Sequence, residues 1–444
     1  MPRPLRTPRA AKESLRDASG TVFQEEETLK HRMCAIAAAL LCATAPSPGQ
    51  AQEAAADTGT VSRQELHGLL EGLNEQLQAI QADTDKLKKV KFSGYVQART
   101  EFNEASNDSV KVSGSPATLT TPNATRFFIR RARLKMTYDS SPLSQAVVYF
   151  DGGTDRTIRL LEAYVTLQDP WTPGHNHQLT LGQFNVPFGW EIERSSSVRE
   201  LPERSRAENV LFSGERDRGA KLESQWTPRL KTSIAVLNGG GINSTDFPNT
   251  DPTRGKDVTG RVRWSQGIWD AAVSGYWGRQ VTALTGPDVL TDKTRVGFDA
   301  QGYWSLSSLG GGSLRGEYYA GHEANADSNR VLVVAPASAN PNRLLRAGAN
   351  PNHLATDMLG WYVMLVQNMG DRLQAVARYD VYDPNVDVDH DQFTRVGLGI
   401  NAFYDGFTRF TVAYDAITTD VSAGAGRFTD PHDNLWTIQL QHKF

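Results

Sequence analysis

Residues 130–138 run Arg130-Arg131-Ala132-Arg133-Leu134-Lys135-Met136-Thr137-Tyr138, and from Ala132 onward apolar and polar side chains alternate. Successive side chains of an extended strand point to opposite faces, so this stretch carries Ala132, Leu134 and Met136 on one face and Arg131, Arg133 and Lys135 on the other. A helix would scatter both sets around its circumference. The same alternation returns in Val262 and Trp264 against Arg261 and Arg263, and in Val296, Phe298, Ala300 and Trp304 against Arg295, Asp299 and Gln301. It continues through Val396, Leu398 and Ile400 and through Phe410, Val412 and Tyr414.

Reading outward from these runs predicts strands at 91–102, 125–138, 143–151, 157–168, 177–185, 215–226, 230–238, 257–266, 269–279, 294–306, 312–321, 357–369, 372–382, 393–402, 408–416 and 434–444. Connections after even-numbered strands are short, as in Thr227-Pro228-Arg229 and Gly370-Asp371. Those after odd-numbered strands are mostly long, as in residues 103–124, 186–214, 239–256 and 322–356. A soluble sandwich gives no reason to segregate short turns from long loops; an outer-membrane barrel requires it. The expected architecture is therefore all-β, a 16-stranded antiparallel transmembrane barrel over residues 91–444, both termini on the short-turn side. The last strand sets Trp436, Ile438, Leu440 and the terminal Phe444 on one face, interrupted by His442. Such an aromatic ending is the kind read by the barrel-assembly machinery, which makes Phe444 the expected contact with it.

Composition agrees. Hydrophobic residues are only 39% of the 444, and no apolar run approaches the roughly 18–20 residues of a membrane helix. The net charge of −3 gives no general attraction to nucleic acid. The two cysteines, Cys34 and Cys42, fall in the apolar stretch Met33 to Ala45, ahead of Pro46-Ser47-Pro48-Gly49-Gln50-Ala51, which reads as a secretory h-region with a cleavage site near Ala51. Residues 1–51 are thus an N-terminal extension and signal peptide. The 32 polar residues ahead of the h-region are long for an n-region, and a true start near Leu29 or Met33 is the expectation, with an unusually long signal as the alternative. Residues 52–90 begin with an Ala-rich linker and continue with Leu66, Leu70, Leu73, Leu77, Ile80, Thr84 and Leu87 at alternating steps of four and three. That is the a/d spacing of a short coiled coil, which gains stability by packing on copies of itself. A single amphipathic helix is the alternative.

The barrel resembles the phosphate-selective porin O and P family. The residues that carry the likeness are Phe92-Ser93-Gly94-Tyr95, Arg130-Arg131-Ala132-Arg133-Leu134, Gly182-Gln183-Phe184-Asn185-Val186-Pro187-Phe188-Gly189, Arg218-Gly219, Ala377-Arg378-Tyr379-Asp380 and Tyr382-Asp383-Pro384-Asn385. The stretch from Gly182 to Gly189 is the most specific. The resemblance implies homotrimeric channels for anions in outer-membrane lipid, with the third long loop folded into the pore.

A channel needs no catalyst, cofactor or metal, only a wet path with a field in it. Arg131, Arg133 and Lys135 stand about 7 Å apart along one face, a ladder for stepwise passage of inorganic phosphate or another small anion. Parity assigns to the lumen Arg99, Arg131, Arg133, Lys135, Lys221, Arg261, Arg263, Arg295, Arg315, Arg378, Arg395 and Arg409, against Glu101, Glu162, Glu223, Asp299, Glu317, Asp380 and Asp415. The anion pathway is drawn from these bases: Arg99, Arg131, Arg133, Lys135, Arg261, Arg263 and Arg378. The other reading is that they fill a polar lumen and pair with carboxylates. The constriction loop would carry Pro187, Phe188, Gly189, Arg194, Arg199, Arg204 and Arg206, with Glu191, Glu193, Glu200, Glu203 and Glu208 interspersed. Mixed charge sets up a transverse field that does not by itself select phosphate, so a general-diffusion porin remains an alternative, as does an envelope-tethering barrel.

Other chemistries are weaker. Residues 383–391 place oxygen ligands at alternate positions but lack the turn glycine and distal Glu of a calcium loop. His175 and His177 have no further zinc ligands near them in sequence. A barrel phospholipase finds no Gly-x-Ser-x-Gly element.

Overall fold

The computed structural model describes residues 71–78, 80–81, 84, 88–106, 125–153, 157–212, 214–242, 251, 253–282, 289–324, 355–387, 392–420 and 433–444. The signal segment, the linker, Leu66, Leu70, Leu87 and residues 388–391 of the acidic loop lie outside them. Residues 71–78, 80–81, 84 and 88 are helical and exposed, Leu73, Leu77 and Ile80 included.

Sixteen strands follow: β1 (Val90–Asn103), β2 (Arg126–Ser141), β3 (Ser144–Asp151), β4 (Arg159–Gln168), β5 (His177–Asn185), β6 (Arg216–Thr227), β7 (Leu230–Leu237), β8 (Asp257–Gln266), β9 (Trp269–Thr282), β10 (Val289–Leu306), β11 (Gly310–Ala324), β12 (Ala355–Met369), β13 (Leu373–Asp383), β14 (Phe393–Phe403), β15 (Thr408–Thr419) and β16 (Leu435–Lys443). Each predicted strand has its counterpart. The main differences are at the long-loop ends, where β9 to β12 and β15 run a few residues further. Every strand pairs antiparallel with its sequence neighbour, and β1 pairs with β16 to close the barrel. The seam ends in a reciprocal pair: the Gly94 amide donates to the Phe444 carbonyl at 2.9 Å, and the Phe444 amide donates to the Gly94 carbonyl at 3.0 Å. Closure leaves no sheet edge with unpaired backbone groups, the condition for crossing lipid with strands.

The amphipathicity is inverted relative to a soluble protein. Leu134, Val262, Phe298, Leu365, Leu398 and Ile400 are exposed on the outer wall, while Arg131, Arg261, Asp299, Arg378 and Asn401 are buried inside. The interior is far from empty. The segment between β5 and β6, residues 186–215, folds inward and carries a short helix, α1 (Arg206–Leu211). Phe188, Ile192, Ala207, Leu211 and Phe212 of this loop bury against Leu237, Tyr276, Tyr319, Met358 and Tyr382. Leu201 packs on Tyr362, Met364, Val366, Val376 and Ala413. Two glycines of the wall make room: a Cβ on Gly297 would sit 2.8 Å from the Phe188 ring, and one on Gly360 would sit 2.5 Å from the Ala207 methyl. The loop's apolar residues thus pack on the side of the bore lined by β7 to β15, while its polar groups reach β1, β2 and β16.

Candidate functional site: the constriction loop and the path beside it

Three residues into the inward loop, Gly189 takes φ 62°, a left-handed conformation that favours glycine. The amides of Trp190 and Glu191 then donate to one carboxylate oxygen of Glu317 on β11, at 3.0 and 2.8 Å. Tyr362 donates to the same oxygen at 2.8 Å, and Tyr319 bonds the other. Glu317, assigned by parity to the bore, is consumed in pinning the loop.

Arg204 is the hub of the loop's return. Its guanidinium donates to the carbonyls of Glu191 at 3.0 Å and Arg194 at 3.2 Å, and it pairs with Glu208 at 3.6 Å and with Glu215. Arg378 donates to the Glu203 carbonyl at 3.0 Å and meets the Glu191 carboxylate at 3.4 Å. Arg395 bonds Asp380, and Asp380 in turn accepts the Arg206 amide at 2.9 Å. Arg378 and Arg395 therefore lie behind the loop as anchors. Burial acts to raise the carboxyl of Glu191, yet Arg378, the Ser205 amide and Arg204 pull it down to about 2. Burial pushes Glu208 well above the usual carboxylate range, against the pull of Arg204 and with Glu191 beside it.

The remaining predicted bases are placed as follows. Arg99 meets Glu203 at 2.7 Å and Glu101 at 3.0 Å, and Arg131 meets Glu203 at 3.3 Å. Arg133 meets Asp151 at 2.8 Å, and Lys135 is 3.8 Å from Glu162. Arg261 pairs with Asp299 at 2.8 Å, and Arg263 with Asp270. In the loop, Arg194 lies over the Trp190 ring at 4.8 Å, Arg199 meets Glu215 at 3.3 Å, and the Arg206 guanidinium lies over the Phe393 ring at 5.0 Å. Pro187 and Phe188 are among the segment packed on the wall, the Pro187 carbonyl accepting from Thr259 at 3.4 Å. His175 is bonded to the Asp169 carbonyl at 2.6 Å and His177 to the Ser224 hydroxyl at 2.9 Å.

Three basic residues of the cavity walls escaped the parity reading: Arg130, Arg216 and Arg159, the last beyond a register shift between Tyr149 and Phe150. Arg130 precedes Arg131 by one and should face outward, but the β1–β2 register shifts between Gln97 and Ala98. The resulting bulge re-aims the side chain, and Arg130 meets Glu203 at 2.9 Å. Arg216 counts to the outer face from Lys221 and Glu223, yet it opens β6 directly from the inward loop and turns onto Glu162 at 3.1 Å.

Beside the loop, against β2 to β6 with β1 and β16 adjoining, are two cavities. The one toward the long loops, about 370 Å³, is lined by Arg130, Arg131, Arg133, Arg159 and Arg216, with Asp151, Glu203 and Glu215 as its carboxylates. The one toward the short turns, about 440 Å³, has Lys135, Arg216, Lys221 and Lys443 against Glu162, Glu193 and Glu223. Both carry more cations than carboxylates.

A family model described as phosphate-selective porin O and P matches residues 115–296, the span that holds β2 to β9, the inward loop and most of both cavity walls. The resemblance is borne out, and the chain is an outer-membrane barrel of porin type. No curated protein matches the sequence. Among solved structures, the barrel is similar to an anion-selective porin from Comamonas acidovorans, at 12% identity, covering 80% of this chain and 99% of that one, TM-score 0.54. It is also similar to OmpT of Vibrio cholerae in its trimer form, at 12% identity, 80% and 99% coverage, TM-score 0.52. The outer-membrane channel DcaP of Acinetobacter baumannii aligns at 12% identity, 80% and 97% coverage, TM-score 0.51. At these identities the likeness shows the fold of the porin and nothing finer. Family and fold point to a channel rather than an enzyme.

Proposed function

We propose that this porin is a passive, water-filled channel for small anions, inorganic phosphate or polyphosphate among them, whose path runs along β2 to β6 beside the inward loop. The observation that carries the reading is the surplus of guanidinium and ammonium groups in both cavities of that path. The low-dielectric walls of a water-filled bore focus the field of such a surplus and draw anions in. Arg131, Arg133 and Lys135 form the ladder, joined by Arg130 and Arg159 near its mouth. Most of these bases are already paired with carboxylates, so a passing anion exchanges with a resident carboxylate instead of meeting a bare charge. Guanidinium groups suit this exchange because their planar fork binds phosphate and carboxylate oxygens alike.

A homotrimer fits the reading: the exposed heptad residues Leu73, Leu77 and Ile80 suit a short parallel coiled coil, and one of the solved barrels of the same fold is a trimer. Phe444 at the seam is the proposed contact with the assembly machinery. Single-channel conductance in chloride, titrated with phosphate, tests the substrate. Block at low phosphate marks a specific phosphate site, while conductance indifferent to phosphate reduces the protein to a general-diffusion porin. Deleting residues 61–89 tests the tethering alternative, which predicts a damaged envelope with conductance intact.

A further inference from the structure

The two cavities touch at one side chain: Arg216 is the residue that lines both. Its Nε and Nη2 both donate to the same oxygen of Glu162, at 3.1 Å each, and its Nη1 is 3.2 Å from Glu215. Glu215 is shared with Arg199 and Arg204, so Glu162 is the partner that belongs most to Arg216. The other oxygen of Glu162 lies 3.8 Å from Lys135 Nζ. Around this pair, three cations gather at one aromatic ring: Arg133, Lys135 and Arg216 lie 5.7, 5.8 and 6.0 Å from the centre of Tyr149. Both Arg216 and Glu162 are buried, and the contact between them lies where the two cavities meet.

We infer that the Arg216–Glu162 pair is the gate of the path and its main determinant of charge selectivity, a refinement that rests on the anion reading above. A solute moving between the cavities has to part the two side chains. An anion can take the place of Glu162 on Arg216 while Lys135 and Arg133 stay beside it, so the positive groups around Tyr149 remain compensated. A cation taking the place of Arg216 on Glu162 meets Lys135 and Arg133 at close range and leaves the Arg216 guanidinium displaced among like charges. Opening is therefore easier with an anion than with a cation.

The test is planar-bilayer recording of the full chain and of two near-isosteric variants, E162Q and R216Q, each first checked for heat-modifiable migration on a gel as proof of a closed barrel. Removing the carboxylate should shift the reversal potential in a salt gradient toward stronger anion preference. Removing the guanidinium should shift it the opposite way and raise single-channel conductance. If R216Q does not fold, R216K keeps the charge but loses the two-bond grip on Glu162, and should raise conductance with little shift in reversal potential. Folded variants with wild-type reversal potential and conductance overturn the gate. A wild type that prefers cations, with the two variants still shifting in opposite directions, overturns the anion reading and leaves the gate in place.

Discussion

Glu203 of the inward loop and Arg131 of the barrel wall face each other at 3.3 Å, and the same carboxylate also holds Arg99 at 2.7 Å and Arg130 at 2.9 Å. One loop acid thus ties together three guanidiniums from two adjacent strands. Replacing it by Gln removes the charge that screens them while keeping a group of the same shape. E203Q should strengthen anion preference, seen as a larger reversal potential in a salt gradient. Because the loop also loses a shared anchor, current noise should rise in the same recordings.

Acidity gives a second check. Burial alone would raise Glu203, but Arg130, Arg131 and Arg99 hold its carboxyl well below the usual range, and Glu191 is held at about 2. A carboxylate with a depressed folded value contributes stability that is complete above its unfolded value and is lost only as pH falls through the folded one. The ion pairs of Glu191 and Glu203 should therefore persist from neutrality to about pH 4.5, the ordinary glutamate range, and weaken only below it. Conductance followed from pH 7 downward should show no step above that range that E203Q abolishes.

The seat of Phe188 is a third. A methyl on Gly297 would press on its ring, so G297A forces either the ring or the strand to move, an overpacking that costs about 1–3 kcal/mol. Phe188→Ala leaves a hole in the buried cluster instead and costs about 3–5 kcal/mol. Both should lower the temperature at which the barrel loses its compact gel migration, F188A more than G297A.

The inside-out pattern is open to a simple comparison. Leu398 is exposed on the outer wall, whereas Asn401, three residues on, is buried in the bore. An Arg at a lipid-facing position costs about 2–4 kcal/mol at the bilayer midplane. L398R should reduce assembly into membranes, and a cysteine at 398 should react with a lipid-soluble reagent in preference to a charged one.

Much of this was legible in the chain. Period-two alternation and the segregation of short turns from long loops placed sixteen strands within a few residues, because closure of the barrel imposes both features on every hairpin. Parity failed where the backbone departs from a regular ladder: at the bulge that turns Arg130 inward, and at Arg216, where the loop feeds into β6. The filling of one side of the bore had a sequence signal that alternation alone obscured. Residues 358–366 of β12 are apolar on both faces, Met358, Tyr362, Met364 and Val366 facing in and Leu359, Trp361, Val363 and Leu365 facing out. An inner face so apolar needs a cover, and the loop supplies it. What no local pattern could reveal is pairing between loop acids and wall bases, since those partners are far apart in sequence.

The most direct measurement is the sign of the reversal potential of the purified wild-type channel in a potassium chloride gradient. A sign set by chloride is the predicted result, since both cavities beside the loop hold a surplus of cationic side chains. A sign set by potassium would contradict it.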